Sequence, residues 1–140
     1  MKTAIIIISI LASSLLNANT LDTEKSLREF SDKMLNHIMK TEVQKGFDMA
    51  RPHWPIPEVE VDSIVNQLSK QQPVIKQRFG KAIEIEFIKK KQIGKSFVRL
   101  YYLHKYERHA MYWQIDFYKP HDTWLINKII TLDELDVLYE

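Results

Sequence analysis

The sequence predicts an α+β domain in which N-terminal helices pack against one face of a four-stranded antiparallel sheet. Up to Gly80, apolar residues recur at spacings of three and four, the period of a helix with one buried face. After Gly80, apolar and polar residues alternate in four runs, the period of strands with one buried face. Helices followed by consecutive antiparallel strands are typical of an α+β layer arrangement.

The first helix is expected over residues 22–45. Asp22 or Thr23 would serve as its N-cap, and Gly46 would stop it. Its buried face would be made by four residues on one stripe: Leu27, Phe30, Met34 and Ile38.

The segment "GFDMARPHWPIP", residues 46–57, is expected to form a short helical turn and then an ordered loop, because its three prolines cannot continue a helix. Trp54 should fold back onto the core. A second helix is predicted from about Val61 to Phe79, kinked or divided at Pro73, and Gly80 should end it.

Four strands are predicted in the second half of the chain, within "AIEIEFI", "SFVRLYYLHKYE", "HAMYWQIDFYK" and "TWLINKIITL". Gly94 marks the first turn, and the run Lys89–Lys91 is interpreted as solvated hairpin charge. The ending "LDELDVLYE" is expected to form a short helical turn or a tail.

Side-chain alternation sorts the last two strands into two faces. The row expected to meet the helices consists of Met111, Trp113, Ile115 and Phe117. The opposite row consists of Tyr112, Gln114, Asp116 and Tyr118. In the fourth strand, Trp124, Ile126 and Ile130 are expected to share the buried face.

The N-terminus has the layout of a secretory signal peptide. Lys2 precedes an apolar run over residues 3–16, and short residues follow around Ala18. We predict cleavage after Ala18, leaving residues 19–140 as one domain in the periplasm or outside the cell. An uncleaved anchor is the alternative, although the apolar run is shorter than the ~20 residues that span a bilayer.

The order of elements resembles the NTF2-like (cystatin-like cone) superfamily. The similar passages are "FGKAIEIEFI", "IGKSFVRLYYLHKYE" and "MYWQIDFYKPHDTWLINKI", which together with the helices cover about residues 22–135. The resemblance implies that the helices pack in the concave face of a strongly curved sheet. The superfamily contains isomerases, dehydratases, transport factors and members without known activity, so the fold alone does not specify a function.

Composition and motifs argue against several classes of function. The formal net charge of +2 is too small for a general nucleic-acid binder, and the absence of cysteine excludes disulfides, thiol chemistry and a lipoprotein anchor. The five histidines form no short-spaced ligand pair, and the serines lie in no nucleophile motif. With three glycines the chain has no phosphate-binding loop. We therefore expect no metal and no cofactor.

Three hypotheses for function remain. The leading one is a non-catalytic protein that binds a periplasmic partner, or itself as a homodimer, through an aromatic sheet face. Its candidate interface residues are Arg99, Tyr101, Tyr112, Asp116 and Tyr118. The resemblance supports this face, because sheets of the superfamily commonly dimerise through it.

The second hypothesis is a small apolar ligand in the mouth of the cone. Its candidate contacts are Trp54, Trp113, Phe117, Trp124, Tyr102 and His104. The third is an isomerase or dehydratase in which Asp116 acts as general base with Tyr102 or His104, as the resemblance suggests. The alternation of side chains instead favours Asp116 as a cross-strand partner of Arg99 or of a lysine on the outer face.

Overall fold

A computed structural model of the chain describes residues 20–140. The element order is α1 (Glu24–Met39), α2 (Val43–Ala50), a 3-10 turn (Arg51–His53), α3 (Glu58–Phe79), β1 (Ala82–Ile93), β2 (Phe97–Tyr106), β3 (Ala110–Tyr118), β4 (Leu125–Leu132) and a second 3-10 turn (Asp136–Leu138). The α+β prediction is therefore confirmed. The predicted signal peptide, residues 1–18, lies outside the described residues.

The single predicted N-terminal helix is in fact two helices. Thr23 caps α1 through a reciprocal pair of hydrogen bonds with Ser26, as the sequence suggested for this position. The chain then turns at Thr41, whose φ of 65° is left-handed and ends the helix. Gly46 is not a stop but lies within α2, where a Cβ would stand 2.8 Å from Ile38 Cγ1 of α1. The glycine thus permits the two helices to approach closely.

Trp54 packs into the core at 8% exposure, as predicted, at the end of the first 3-10 turn. Arg51 in this turn forms ion pairs with Asp48, Glu58 and Asp62, which joins α2 and the turn to the start of α3. Pro73 lies inside α3 without ending it. Gly80 ends this helix with a φ of 88°, a conformation that side chains with a Cβ rarely adopt.

The four strands pair in sequence order, β1-β2-β3-β4, all antiparallel. β1 is longer than predicted, because the lysine run lies inside it rather than in the hairpin. Register shifts in β1 change which face each lysine occupies, so that Lys89 pairs with Tyr101 and Lys90 with Leu100. Gly94 forms the turn, as expected.

One face of the sheet meets the helices in a shared hydrophobic core. The sheet residues of this cluster are Val98, Leu100, Tyr102, Trp113, Ile115, Phe117 and Ile126, and Trp124, directly before β4, belongs to it as well. The prediction for Ile130 is wrong, because a register shift between Asp116 and Phe117 of β3 reverses the alternation in β4. Ile129 packs on the core instead, and Ile130 pairs with Gln114 on the other face.

The C-terminal segment, residues 133–140, folds back beside the outer face of the sheet, the face away from the helices. Lys89 Nζ donates hydrogen bonds of 3.1 Å to the backbone oxygens of both Val137 and Leu138. The same ammonium lies 5.2 Å from the ring centroid of Tyr101. The expected C-terminal helical turn is present at Asp136–Leu138. Within residues 20–140, no helix has the length and apolar character needed to cross a bilayer.

Candidate functional site

The outer face of the sheet contains a buried ion pair at its centre. Arg99 and Asp116 are direct neighbours on β2 and β3. Arg99 donates from Nε to Asp116 Oδ1 at 2.8 Å and from Nη2 to Oδ2 at 2.9 Å, while Gln114 Nε2 lies 3.2 Å from both oxygens. The hydrogen bonds with Asp116 raise the pKa of Arg99. Asp116 is thus the cross-strand partner that its position predicted.

The structure places all five predicted interface residues on the outer face, but three of them are not accessible. Tyr101, Tyr112 and Asp116 are buried within the chain itself, whereas Arg99 is half-buried and Tyr118 is 44% exposed. The C-terminal segment contributes to this burial through its contact with Lys89, which lies over Tyr101. A partner at this face would therefore meet mainly Arg99 and Tyr118 unless the segment moved.

The predicted ligand contacts divide in a similar way. Five of the six are packed in the core cluster: Trp54, Tyr102, Trp113, Phe117 and Trp124. Tyr102 donates its hydroxyl to Asp32 Oδ1 at 2.7 Å, and burial is the main reason that its pKa is raised. His104 is the one predicted ligand contact that lines a cleft in the described part of the chain, residues 20–140.

This cleft, with a volume of about 520 Å³, lies between the end of α1, the second half of α3, the start of β1 and the end of β2. Its apolar walls come from Ile38, Met39, Pro73, Ile75 and Ala82. Its polar lining is made by Thr41, Ser69, Gln72, Lys76, Lys81, His104 and Tyr106. Mostly apolar walls with a few polar groups are typical of small-molecule sites.

His104 is the most unusual group in the cleft. The ring is 3% exposed, and its Nδ1 accepts a hydrogen bond from Trp113 Nε1 at 3.2 Å. Since an indole N–H can only donate, the proton of the neutral imidazole resides on Nε2. That Nε2 is buried without a hydrogen-bond partner among the described residues. An unpaired buried donor costs on the order of 1–3 kcal/mol, so the site favours a molecule that supplies an acceptor.

Tyr106 covers one side of this histidine. Its ring stacks on the imidazole with a centroid distance of 4.3 Å, and its hydroxyl lies 3.3 Å from Nδ1. Burial raises the pKa of Tyr106 to about 12 and lowers the pKa of His104 to about 4. Both groups are therefore neutral near pH 7, and the inner wall of the cleft is uncharged.

The burial of His104 makes the fold sensitive to acid. Because its pKa is about 4 in the folded chain and 6.5 in the unfolded one, unfolding takes up a proton between these values. We expect the free energy of unfolding to fall by about 2–3 kcal/mol as the pH drops through this window. Urea titrations at several pH values would measure it. In the variant His104→Gln the loss should be smaller, and an unchanged pH profile would contradict this assignment.

The catalytic arrangement considered for Asp116 is not formed. Asp116 pairs with Arg99 and Lys128 on the outer face, whereas Tyr102 and His104 belong to the face that meets the helices. The sheet itself separates the carboxylate from both proposed partners. Among residues 20–140, no group of three or more acidic or histidine side chains is arranged to hold a metal ion.

The cleft residues other than His104 were not predicted. Thr41, Lys76 and Lys81 lie in three different elements or turns, and no local pattern in the sequence relates them. The mid-helix proline was the one signal in the sequence, since Pro73 lines the cleft.

Known proteins give no further information about this site. No family model, curated protein or solved structure gives a significant match to the chain.

Proposed function

We propose that this protein binds a small, largely apolar molecule in the cleft between α1, α3 and the β1–β2 hairpin. The observation that carries the proposal is His104, a residue of the cleft lining whose Nε2 is a buried donor without a hydrogen-bond partner among the described residues. A small shift of the His104 ring would bring Nε2 to the surface of the cleft, where a carbonyl or hydroxyl oxygen of the ligand would satisfy it while the hydrocarbon part covered Ile38 and Ile75. The role of the protein would then be binding rather than catalysis.

The position of the cleft agrees with the superfamily resemblance. A site between helices and the inner face of an antiparallel sheet is where an NTF2-like cone would open, and we propose membership of that superfamily on element order alone. We also propose that residues 1–18 direct export and are removed, which would place the binding domain in the periplasm or outside the cell. Sequencing the N-terminus of the mature protein would test the cut after Ala18.

Two other surfaces support a function less well. A second cavity, of about 570 Å³, lies between α1 and α2, but its lining mixes Glu29 and Asp48 with Lys33 and Lys45, and no buried donor faces a missing partner there among the described residues. Binding of a protein partner to the outer sheet face remains a prediction. Such a partner would have to use Arg99 and Tyr118 or displace the C-terminal segment.

The proposal predicts saturable binding of Prodan, a neutral naphthyl ketone whose emission moves to the blue in apolar surroundings and responds to hydrogen bonding. One molecule should bind per chain. The variant Ser69→Phe, which fills the cleft from an exposed position of α3, should weaken binding at least about ten-fold, which corresponds to ~1.4 kcal/mol. Fluorescence titration measures both.

The matched control is Ser63→Phe, because Ser63 is also an exposed serine of α3 but does not line this cleft. It should bind Prodan as the unmodified protein does. Equal binding by both variants, or no binding at all by the unmodified protein, would overturn the proposal.

A further inference from the structure

The charged side chains that line the cleft are both cationic. Its lining includes Lys76, in the last turn of α3, and Lys81, directly before β1, and it includes no aspartate or glutamate. Neither lysine forms an ion pair with an acid among residues 20–140. The nearby Glu107 instead accepts a hydrogen bond from the backbone N–H of Lys81. The ammonium groups of both lysines are thus left without an ion-pair partner in the described part of the chain.

Strained backbone lies in the same lining. Thr41 has a φ of 65°, and among the described residues it is the one residue other than glycine with positive φ. A β-branched residue is unfavourable in this conformation, in which glycine or asparagine is usual. Backbone strain of this kind is retained in a folded protein where the surrounding structure enforces it or where the side chain has a function. Here the strained residue, Thr41, is part of the cleft lining and carries a hydroxyl group.

The cleft therefore offers different polar groups for different parts of a ligand. His104 is buried, neutral and a donor, which suits an uncharged acceptor atom. Lys76 is exposed and charged, and Thr41 is exposed and carries a hydroxyl, which suits an anionic group that stays partly hydrated. Between them, Ile38, Met39 and Ile75 supply apolar surface.

We propose that the ligand is an amphipathic anion, whose carboxylate or similar acidic group binds Lys76, Lys81 and the hydroxyl of Thr41 while its apolar body fills the cleft. This inference rests on the proposed binding function and adds the chemical class of the ligand. The inference predicts that the cleft binds apolar acids more tightly than neutral apolar molecules of the same size.

Two naphthalene probes that differ by one acidic group test the inference. These are neutral N-phenylnaphthylamine and its sulfonate, anilinonaphthalene sulfonate, each titrated by fluorescence. Since an exposed ion pair contributes about 0.2–1 kcal/mol, two such pairs should make the sulfonate bind roughly ten-fold more tightly. The variant Lys76→Gln with Lys81→Gln should abolish this preference and leave the neutral probe unchanged. Added salt should weaken only the sulfonate.

A control double variant, Lys70→Gln with Lys95→Gln, removes the same charge from positions outside the lining of the cleft and should retain the preference. Thr41→Gly should relieve the strained φ, raise stability and reduce the affinity for the sulfonate. If both probes bind equally, the anion inference fails while the binding function stands. If neither probe binds, the binding function fails as well.

Discussion

Replacing Arg99 with alanine is expected to lower the free energy of unfolding by about 3 kcal/mol or more, because it leaves a buried carboxylate without its cation. Asp116 is 1% exposed, and after the replacement its remaining side-chain partner would be Gln114. Urea denaturation followed by circular dichroism measures the change. The double variant Arg99→Met with Asp116→Leu should recover much of the loss, since an apolar pair can replace a buried ion pair at little cost.

The same sheet provides a matched surface pair. Lys105 and Glu84 are also cross-strand neighbours with a contact of 3.0 Å, but the Glu84 side chain is 55% exposed whereas that of Asp116 is 2% exposed. Lys105→Ala should therefore cost no more than about 1 kcal/mol. Equal losses from Lys105→Ala and Arg99→Ala would contradict the claim that the burial of Asp116 makes its pair with Arg99 important.

Replacing Trp54 with alanine is expected to cost about 3–5 kcal/mol, which is the usual range for removing a large aromatic side chain from a core. Trp54 belongs to the core cluster together with Phe47, whose ring centroid lies 6.5 Å from its own. Its loss would open a cavity beneath the loop between α2 and α3. Thermal or chemical denaturation would report the effect.

Val59 offers the control for this experiment. It lies near Trp54 in the chain but is 71% exposed at the start of α3, so Val59→Ala should change stability by no more than about 0.5 kcal/mol. A small loss for Trp54→Ala would mean that the surrounding side chains collapse into the space. It would also revive the hypothesis that a ligand is accommodated among the tryptophans.

The features that follow from local periodicity could be predicted from the sequence. Helical and strand periods gave the order of elements, and alternation gave the buried row of Trp113, Ile115 and Phe117. Trp54 was predicted to fold back onto the core, and it is buried there. These predictions depend on neighbours within a few residues along the chain.

The features that depend on distant contacts could not be predicted. The break at Thr41 requires a left-handed φ in a residue that disfavours it, so no propensity indicates it. The register shift before Phe117 changes the face of Ile130 without changing any residue type. The cleft is formed by elements that are up to about sixty positions apart in sequence, which local patterns cannot relate.

The position of the C-terminal segment has a practical consequence for work with the recombinant protein. Lys89 holds this segment through the backbone oxygens of Val137 and Leu138, only a few residues from the last residue of the chain. An affinity tag or fluorescent fusion joined to Glu140 would begin in solvent, but only two residues beyond Leu138, whose backbone oxygen Lys89 holds beside Tyr101. A fusion at that end could therefore create the very self-association that an experiment on oligomeric state sets out to measure.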